Sequence, residues 1–372
     1  MPSAHRVAVI TDANELRALA DPWRRLLQAS PSATAFASPA WLLTWYRHFE
    51  RRHGLYAVAV WRGGELVGLA PFARTRIGAG PAGCSLLVSA GTAHGDYGDP
   101  LLGPDPLPVA EVVADHLAAL VRRTTTVVNL RRLREDDPLL DLFEQRGDLA
   151  SESMGQRASN VIMRFADLDD PRGALERLAR KRDLPRRRRR LTERFGDVAY
   201  VRQSADTPAA LAAMRDFLSR RWPAGEGPKL FASPGRAAFT RDVTAELVAA
   251  GLGQVSMLTA GGHPVAVGIS HRVGDREVFD ATSYDPDLKR FSVGLLHLHE
   301  VLSHALADGA AEVDMRAGDF SYKEQWSTTT RDTRSIALVR AGGLGRAQLA
   351  ARRVAMSIRA RRLAGRECEL SA

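Results

Sequence analysis

Between Asp319 and Trp326 the sequence sets an acid, a tyrosine, a lysine and a tryptophan close together, as Asp319, Tyr322, Lys323 and Trp326. Asp319 could take a proton from an amine or hydroxyl. Lys323 could bind a phosphate or a carboxylate. The competing reading makes Asp319 the cap of a turn and Tyr322 and Trp326 core residues. A second group is Lys289-Arg290-Phe291-Ser292-Val293-Gly294, which runs into a helical pattern at Gly294. First-turn amides and the helix dipole favour an anion, and a cationic pair beside them suits a pyrophosphate. The alternative is a surface loop with Gly294 at a helix start. Asp280 is a third candidate. An acid inside a strand pattern, after Val278 and Phe279, is either a general base or a solvent-facing side chain.

Other constellations carry less. His297, Glu300 and His304 share a helix face at spacings of three and four. Metal ligation there is weighed against a solvated face, and without a supporting motif the solvated face is expected. His94-Gly-Asp96-Tyr97-Gly-Asp99 is a polar loop with two nearby carboxylates and none of the cations a phosphate needs. No Gly-x-Ser-x-Gly, Walker or His-Glu-x-x-His motif is present, and no Gly-x-Gly-x-x-Gly leads from a strand into a helix, which sets aside the common hydrolase, kinase, dehydrogenase and zincin chemistries.

The elements that must position these residues follow from apolar spacing. In the first half, strands are predicted at 7–10, 56–62, 65–73, 85–89, 127–130 and 160–165, with helices at 12–28, from Pro39, at 108–122 and at 138–146. In the second half, strands are predicted at 198–202, 254–259, 265–272, 277–282, 312–316 and 333–340. Helices are predicted at 208–222, 236–250 and 294–307, with a helical turn at 322–326. Each half therefore reads β-α-α-β-β-β-α-β-(α)-β, and each has a hairpin around a Gly-Gly turn, Gly63-Gly64 and Gly261-Gly262. The expected organisation is a domain over 1–165, connecting helices over 166–195, a domain over 196–342 and a basic amphipathic tail over 343–372. The connecting stretch contains five consecutive arginines, Arg186 to Arg190, interrupted before and after by leucines, and reads as a basic helix or a helix pair broken at Pro185.

A length of 372 residues, 45% of them hydrophobic, suits two domains. The net charge of +9 points to phosphates, nucleic acid or an anionic membrane face, against a plain solvated basic surface. Only Cys84 and Cys368 are present, so a disulfide framework is not expected. The N-terminus lacks the apolar core of a signal peptide, and no apolar window spans a membrane. A cytoplasmic protein, at most peripheral to the inner membrane face, is expected.

Several segments resemble the GNAT superfamily, and more closely the CelD-type acyltransferases linked to polysaccharide synthesis, near the Fem-type transferases with two GNAT-like domains. They are Phe36-Ala-Ser-Pro-Ala-Trp41 with Trp45, Asp96-Tyr97, the arginine run before Leu191, Tyr284-Asp-Pro286 with Ser292 and Gly294, and Asp314 through Gly318-Asp319 to Tyr322-Lys323 and Trp326. The resemblance implies a mixed α/β fold of two tandem GNAT-like domains. It implies an acyl donor, acetyl-CoA or another acyl-CoA, held by residues 289–294 with no metal. It gives Asp319 or Asp280 as base, Tyr322 as acid toward the leaving thiolate, and Asp96, Tyr97, Lys323 and Trp326 as acceptor-side residues. The sequence departs from the superfamily loop at Val293 and Leu295, where small residues belong. The implied reaction is acyl transfer to an amine or hydroxyl of a sugar or small metabolite. The alternatives are a Fem-like enzyme using aminoacyl-tRNA, with RNA on the arginine run, and a non-catalytic GNAT pair at a membrane-bound polysaccharide-synthesis complex.

Overall fold

A computed structural model describes residues 5–51, 53–77, 83–155, 157–203, 207–222, 229–318 and 321–343, with 347 and 349. The chain folds as two compact units. Unit 1 takes Met1–Ala158 and Asp332–Ala372, and unit 2 takes Ser159–Arg331.

Unit 1 begins with β1 (Arg6–Ile10), α1 (Ala13–Ala18), α2 (Ala20–Ala29) and α3 (Pro39–Phe49). Asp12 and Ser38 cap α1 and α3 by accepting first-turn amides, and Pro39 fits the first turn because it lacks an N–H to satisfy. There follow β2 (Gly54–Arg62), β3 (Glu65–Ile77), β4 (Cys84–Ser89), β5 (Leu101–Leu102), α4 (Pro106–Arg123), β6 (Thr126–Arg134), α5 (Pro138–Glu144) and β7 (Leu149–Ser153). Gly63 and Gly64 both have positive φ, the backbone that a two-residue hairpin between right-twisted strands requires. The strand order is β1-β2-β3-β4-β6, and beyond β6 lies β14 (Thr329–Arg340), which also pairs with β7. Most neighbours are antiparallel, whereas β4 and β6 run parallel because α4 crosses between them. Val109, Val113, Leu117 and Val121 place α4 on this sheet with exposures of 1% or less. At such a position a truncation to alanine typically costs about 2–5 kcal/mol.

Unit 2 repeats the plan. β8 (Ala158–Arg164) leads to α6 (Pro171–Lys181) and α7 (Leu184–Phe195). The basic stretch is thus a helix pair. The break falls at Arg182 and left-handed Asp183, and Pro185 lies in the first turn of α7. Then come β9 (Val198–Gln203), α8 (Thr207–Arg221), α9 (Pro234–Ala249), β10 (Gly253–Ala260), β11 (His263–Val273), β12 (Arg276–Tyr284), α10 (Val293–Ala307), β13 (Glu312–Ala317) and α11 (Ser321–Glu324). The strand order is β9-β10-β11-β12-β13-β8. Among the described residues β12 and β13 are parallel and the other neighbours antiparallel. Leu175, Leu184 and Leu191 bury α6 and α7 beside α10, so the arginine run is half of an amphipathic packing helix.

The compact units differ from the two halves read along the sequence. The strand at 160–165, read as closing the first half, is β8 and pairs antiparallel with β13. The strand at 333–340, read as closing the second half, is β14 and pairs with β6 and β7. Unit 1 is closed by a strand from the far end of the chain, and unit 2 by its own first strand. Apolar patterning marks β8 and β14 as strands without saying which parallel edge each one covers. The amphipathic tail expected at 343–372 lies outside the described residues, save 343, 347 and 349.

Candidate functional site

The chemistry of unit 2 gathers where β12 and β13 part. The two strands pair only from Arg276/Glu312 to Val278/Asp314. Beyond that point both are bulged. Asp280 is an extra residue in β12 against β11, and an extra residue between Asp314 and Ala317 bulges β13 against β8. Bulges break pairing and re-aim side chains. Arg316, in the β13 bulge, has φ +64°, a sparsely populated region for a side chain of its size. Its Nη1 donates to the Asp280 carbonyl at 2.9 Å and forms an ion pair with the Asp280 carboxylate. His271 Nε2 lies 3.8 Å from the other Asp280 oxygen. Burial lowers the His271 pKa, and the Asp280 charge opposes that shift. The ring is therefore neutral at physiological pH.

At the end of β12, Asp285 Oδ1 accepts the Asp287 amide and starts a 3-10 turn over Pro286–Phe291. Ser292 is left-handed at φ +53° and opens α10 without a side-chain cap. The first amides of α10 thus have no acceptor from a capping side chain. Lys289 and Arg290 are exposed beside them, and Phe291 is buried with the Arg290 guanidinium over its ring. Arg187 of α7 donates to Ser292 Oγ at 2.8 Å and to the Arg290 carbonyl at 3.0 Å. Val293, which replaces the expected glycine, is fully buried in the core, so the departure fills space beneath the loop. Gly294 is needed for contact: a Cβ there would lie 2.8 Å from the Tyr284 ring. Arg221 of α8 stacks on that ring at 4.3 Å.

Tyr322 joins this group. Burial pushes its pKa up, the Arg221 charge pulls it down and Tyr284 adds a smaller upward push. Its phenol therefore stays protonated at neutral pH. Lys323 donates to the Met315 carbonyl at 2.7 Å, tying α11 to β13. Trp326 is 1% exposed and packs edge-on to His299, a core position with no open face for a substrate. Asp319 lies outside the described residues. The face of His297, Glu300 and His304 is taken up internally: His297 shares a hydrogen bond with Ser256, Glu300 pairs with Arg188, and His304 contacts the Glu300 carbonyl. His297 is wholly buried, not solvated as the sequence suggested.

In unit 1 the equivalent gap is filled. β4 and β6 pair through Val88/Asn129. Gly98 then bonds the Arg132 carbonyl, and a Cβ on Gly98 would lie 2.2 Å from the Arg131 carbonyl. The loop after β4 is a wedge admitted by the missing side chain. Arg132, at φ +58°, grips the wedge through the Asp96 carbonyl at 2.9 Å and its carboxylate at 2.7 Å. Tyr97 is buried beneath the Arg134 guanidinium. Asp96 and Tyr97, expected to line an acceptor pocket, instead hold this wedge in place.

Arg316, Arg187, Arg221 and His271 were not among the residues the sequence singled out for chemistry. Arg187 was visible as one member of the arginine run. The others gave no local signal, because bulges and ring stacking follow from tertiary pairing.

Residues 179–324 match the family described as acetyltransferase (GNAT) domain, a span from the end of α6 through α11. No curated protein matches the sequence. Among solved structures the chain is similar to FemX, at 10% identity over 89% of this chain and 96% of that one, with a TM-score of 0.61. It is similar to the C-terminal domain of a provisionally assigned lysylphosphatidylglycerol synthetase from Agrobacterium fabrum, at 12% identity over 91% and 95%, with a TM-score of 0.55. A conserved protein of unknown function from Bacteroides thetaiotaomicron aligns at 10% identity over 87% and 97%, with a TM-score of 0.54. The likenesses are of fold: a mixed α/β protein of tandem GNAT-like units. The matched span lies within unit 2, which is thus similar to a GNAT acetyltransferase domain.

Proposed function

We propose that this protein is an acyltransferase that takes an acyl group from an acyl-CoA held by unit 2 and delivers it to an amine or hydroxyl of a sugar or small metabolite. The observation that carries the reading is the contrast between the two gaps. In unit 1 the gap holds the Gly98 wedge, whereas in unit 2 the strands part beside the start of α10. The residues fit a diphosphate: uncapped first-turn amides, Lys289, Arg290 and the Arg187 brace. Acyl transfer needs a proton taken from the nucleophile and one given to the departing thiolate. Tyr322, kept protonated, suits the second role. Asp280 at the gap suits the first, and Asp319 is the sequence's other candidate. Placement with CelD-type enzymes of polysaccharide synthesis belongs to this proposal.

Calorimetric titration with acetyl-CoA, longer acyl-CoAs and free CoA tests the reading. Arg290→Ala should weaken binding about tenfold by removing a cation near two phosphates. Equal binding by both proteins, or none by either, would reject the site. A donor carried on RNA is favoured by one observation: the outward face of α7, with Arg186, Arg189, Arg190 and Arg194 exposed. Under that reading, binding of a tRNA probe falls steeply with salt.

A further inference from the structure

Arg316 and Arg132 make the same unusual contact in different units. Each is a non-glycine residue with positive φ in a bulge of the strand after the crossover helix. Each binds both the carbonyl and the carboxylate of one aspartate, Arg132 to Asp96 and Arg316 to Asp280. What they hold differs. Asp96 rides on a loop that fills the gap, so Arg132 secures a permanent plug. Asp280 is part of β12, and beyond Val278 and Asp314 it is a side chain, that of Arg316, that reaches across the gap. A side chain can turn away where a buried loop cannot.

We infer that Arg316 is a displaceable latch that masks Asp280 across the gap until the amide-bearing arm of an acyl donor claims the Asp280 carbonyl, whereupon the freed carboxylate acts as the base. The inference rests on the acyl-CoA reading above. A chain threading between two strands pairs with their free backbone groups, as an added strand does. Arg316 takes the Asp280 carbonyl, so a donor arm and this side chain compete for one acceptor. Displacement removes the cation from Asp280 and uncovers its carboxylate. Among the described residues, neutral His271 from β11 faces that carboxylate, as does the Arg316 charge from β13. In the step itself Asp280 takes the proton from the acceptor N–H or O–H as nitrogen or oxygen bonds to the acyl carbon. The C–S bond breaks, and its electron pair leaves with sulfur, which takes the Tyr322 proton. Solvent then receives the Asp280 proton and restores the phenol.

The test compares CoA affinity and turnover in the full chain. Arg316→Gln should bind CoA about fivefold more tightly than wild type, since the donor no longer has to break the latch. Arg316→Gly should do the same, and it fits the left-handed backbone without strain, so loss of folding does not obscure the result. Asp280→Asn should also bind CoA more tightly, because the ion pair is gone, while turnover falls at least about 100-fold. Tight binding with lost turnover is a split that a purely structural ion pair would not produce. Unchanged or weaker CoA affinity in both Arg316 variants, with Arg290→Ala still weakening it, overturns the latch alone. No CoA binding by any of the proteins overturns the donor reading and the latch with it.

Discussion

Arg187 Nη1 lies 2.8 Å from Ser292 Oγ, which ties the arginine-rich helix α7 to the left-handed residue that opens α10. The same guanidinium nitrogen holds the Arg290 carbonyl. The conformation that presents the α10 amides is thus braced by a residue about a hundred positions away in sequence, and its cation adds to Lys289 and Arg290.

Arg187→Ala should therefore weaken CoA binding about tenfold, equivalent to about 1.4 kcal/mol, with little change in melting temperature. Arg186→Ala is the control: that side chain is exposed and pairs with Asp183 within its own helix turn. Calorimetry of the two variants checks the assignment, and equal losses would mean that the positive field matters and the brace does not.

The Gly98 wedge makes a prediction about unit 1 that does not involve a donor. Gly98→Ala places a Cβ 2.2 Å from the Arg131 carbonyl and 2.5 Å from Thr92. Backbone cannot yield there without opening the gap, and overpacking of this kind costs about 1–3 kcal/mol or more. A lower melting temperature with CoA affinity unchanged is expected. Loss of CoA binding in a folded Gly98→Ala protein would contradict placement of the donor in unit 2.

Acid sensitivity should trace in part to His297. Burial in the core lowers its pKa to about 3. The unfolded chain, with an ordinary imidazole near 6.5, binds the proton first as pH falls. Its contribution is therefore complete above about pH 6.5 and is lost progressively as pH falls toward 3. Between pH 7 and 5 the loss amounts to about 2 kcal/mol. Chemical denaturation of wild type and His297→Asn at both pH values checks this: the variant should lose about 2 kcal/mol less than wild type over that interval. Parallel losses would mean that His297 is protonated in the folded state.

Much of this was legible in the sequence, and what was not has a common cause. The two Gly-Gly hairpins, the helix starting at the Ser292–Gly294 segment and the element order of both halves follow from local spacing and turn chemistry, and they stand in the structure. The partners of β8 and β14 were not legible, since two equivalent edges compete for similar strands. Val293 looked like a defect in a phosphate loop and is a core residue beneath it. Trp326, placed on the acceptor side by the resemblance, packs inside as the competing core reading had it. Asp96 and Tyr97 carried the right residue types for a pocket, yet Arg132 and Arg134 draw them inward. Each miss is a side chain whose direction depends on a partner distant in sequence.

Tyr322 offers the sharpest check of the chemistry. It stands with Tyr284 and Arg221 at the start of α10, and burial raises its pKa above the ordinary phenol value despite the opposing Arg221 charge. The phenol is therefore the protonated form at any pH where the enzyme would work, which a proton donor to a thiolate requires. Removing such a donor typically costs about 100- to 10,000-fold in rate. Tyr322→Phe keeps the ring and its core contacts, so CoA affinity and melting temperature should change little while kcat falls at least about 100-fold. The pH dependence gives the sign. With Tyr322 present, kcat falls as pH rises through the raised phenol pKa, because the donor is lost, and in Tyr322→Phe that alkaline limb disappears. A Tyr322→Phe protein with full turnover would make the residue a packing element only. In that case the thiolate leaves without help from this side chain, as its own modest basicity permits.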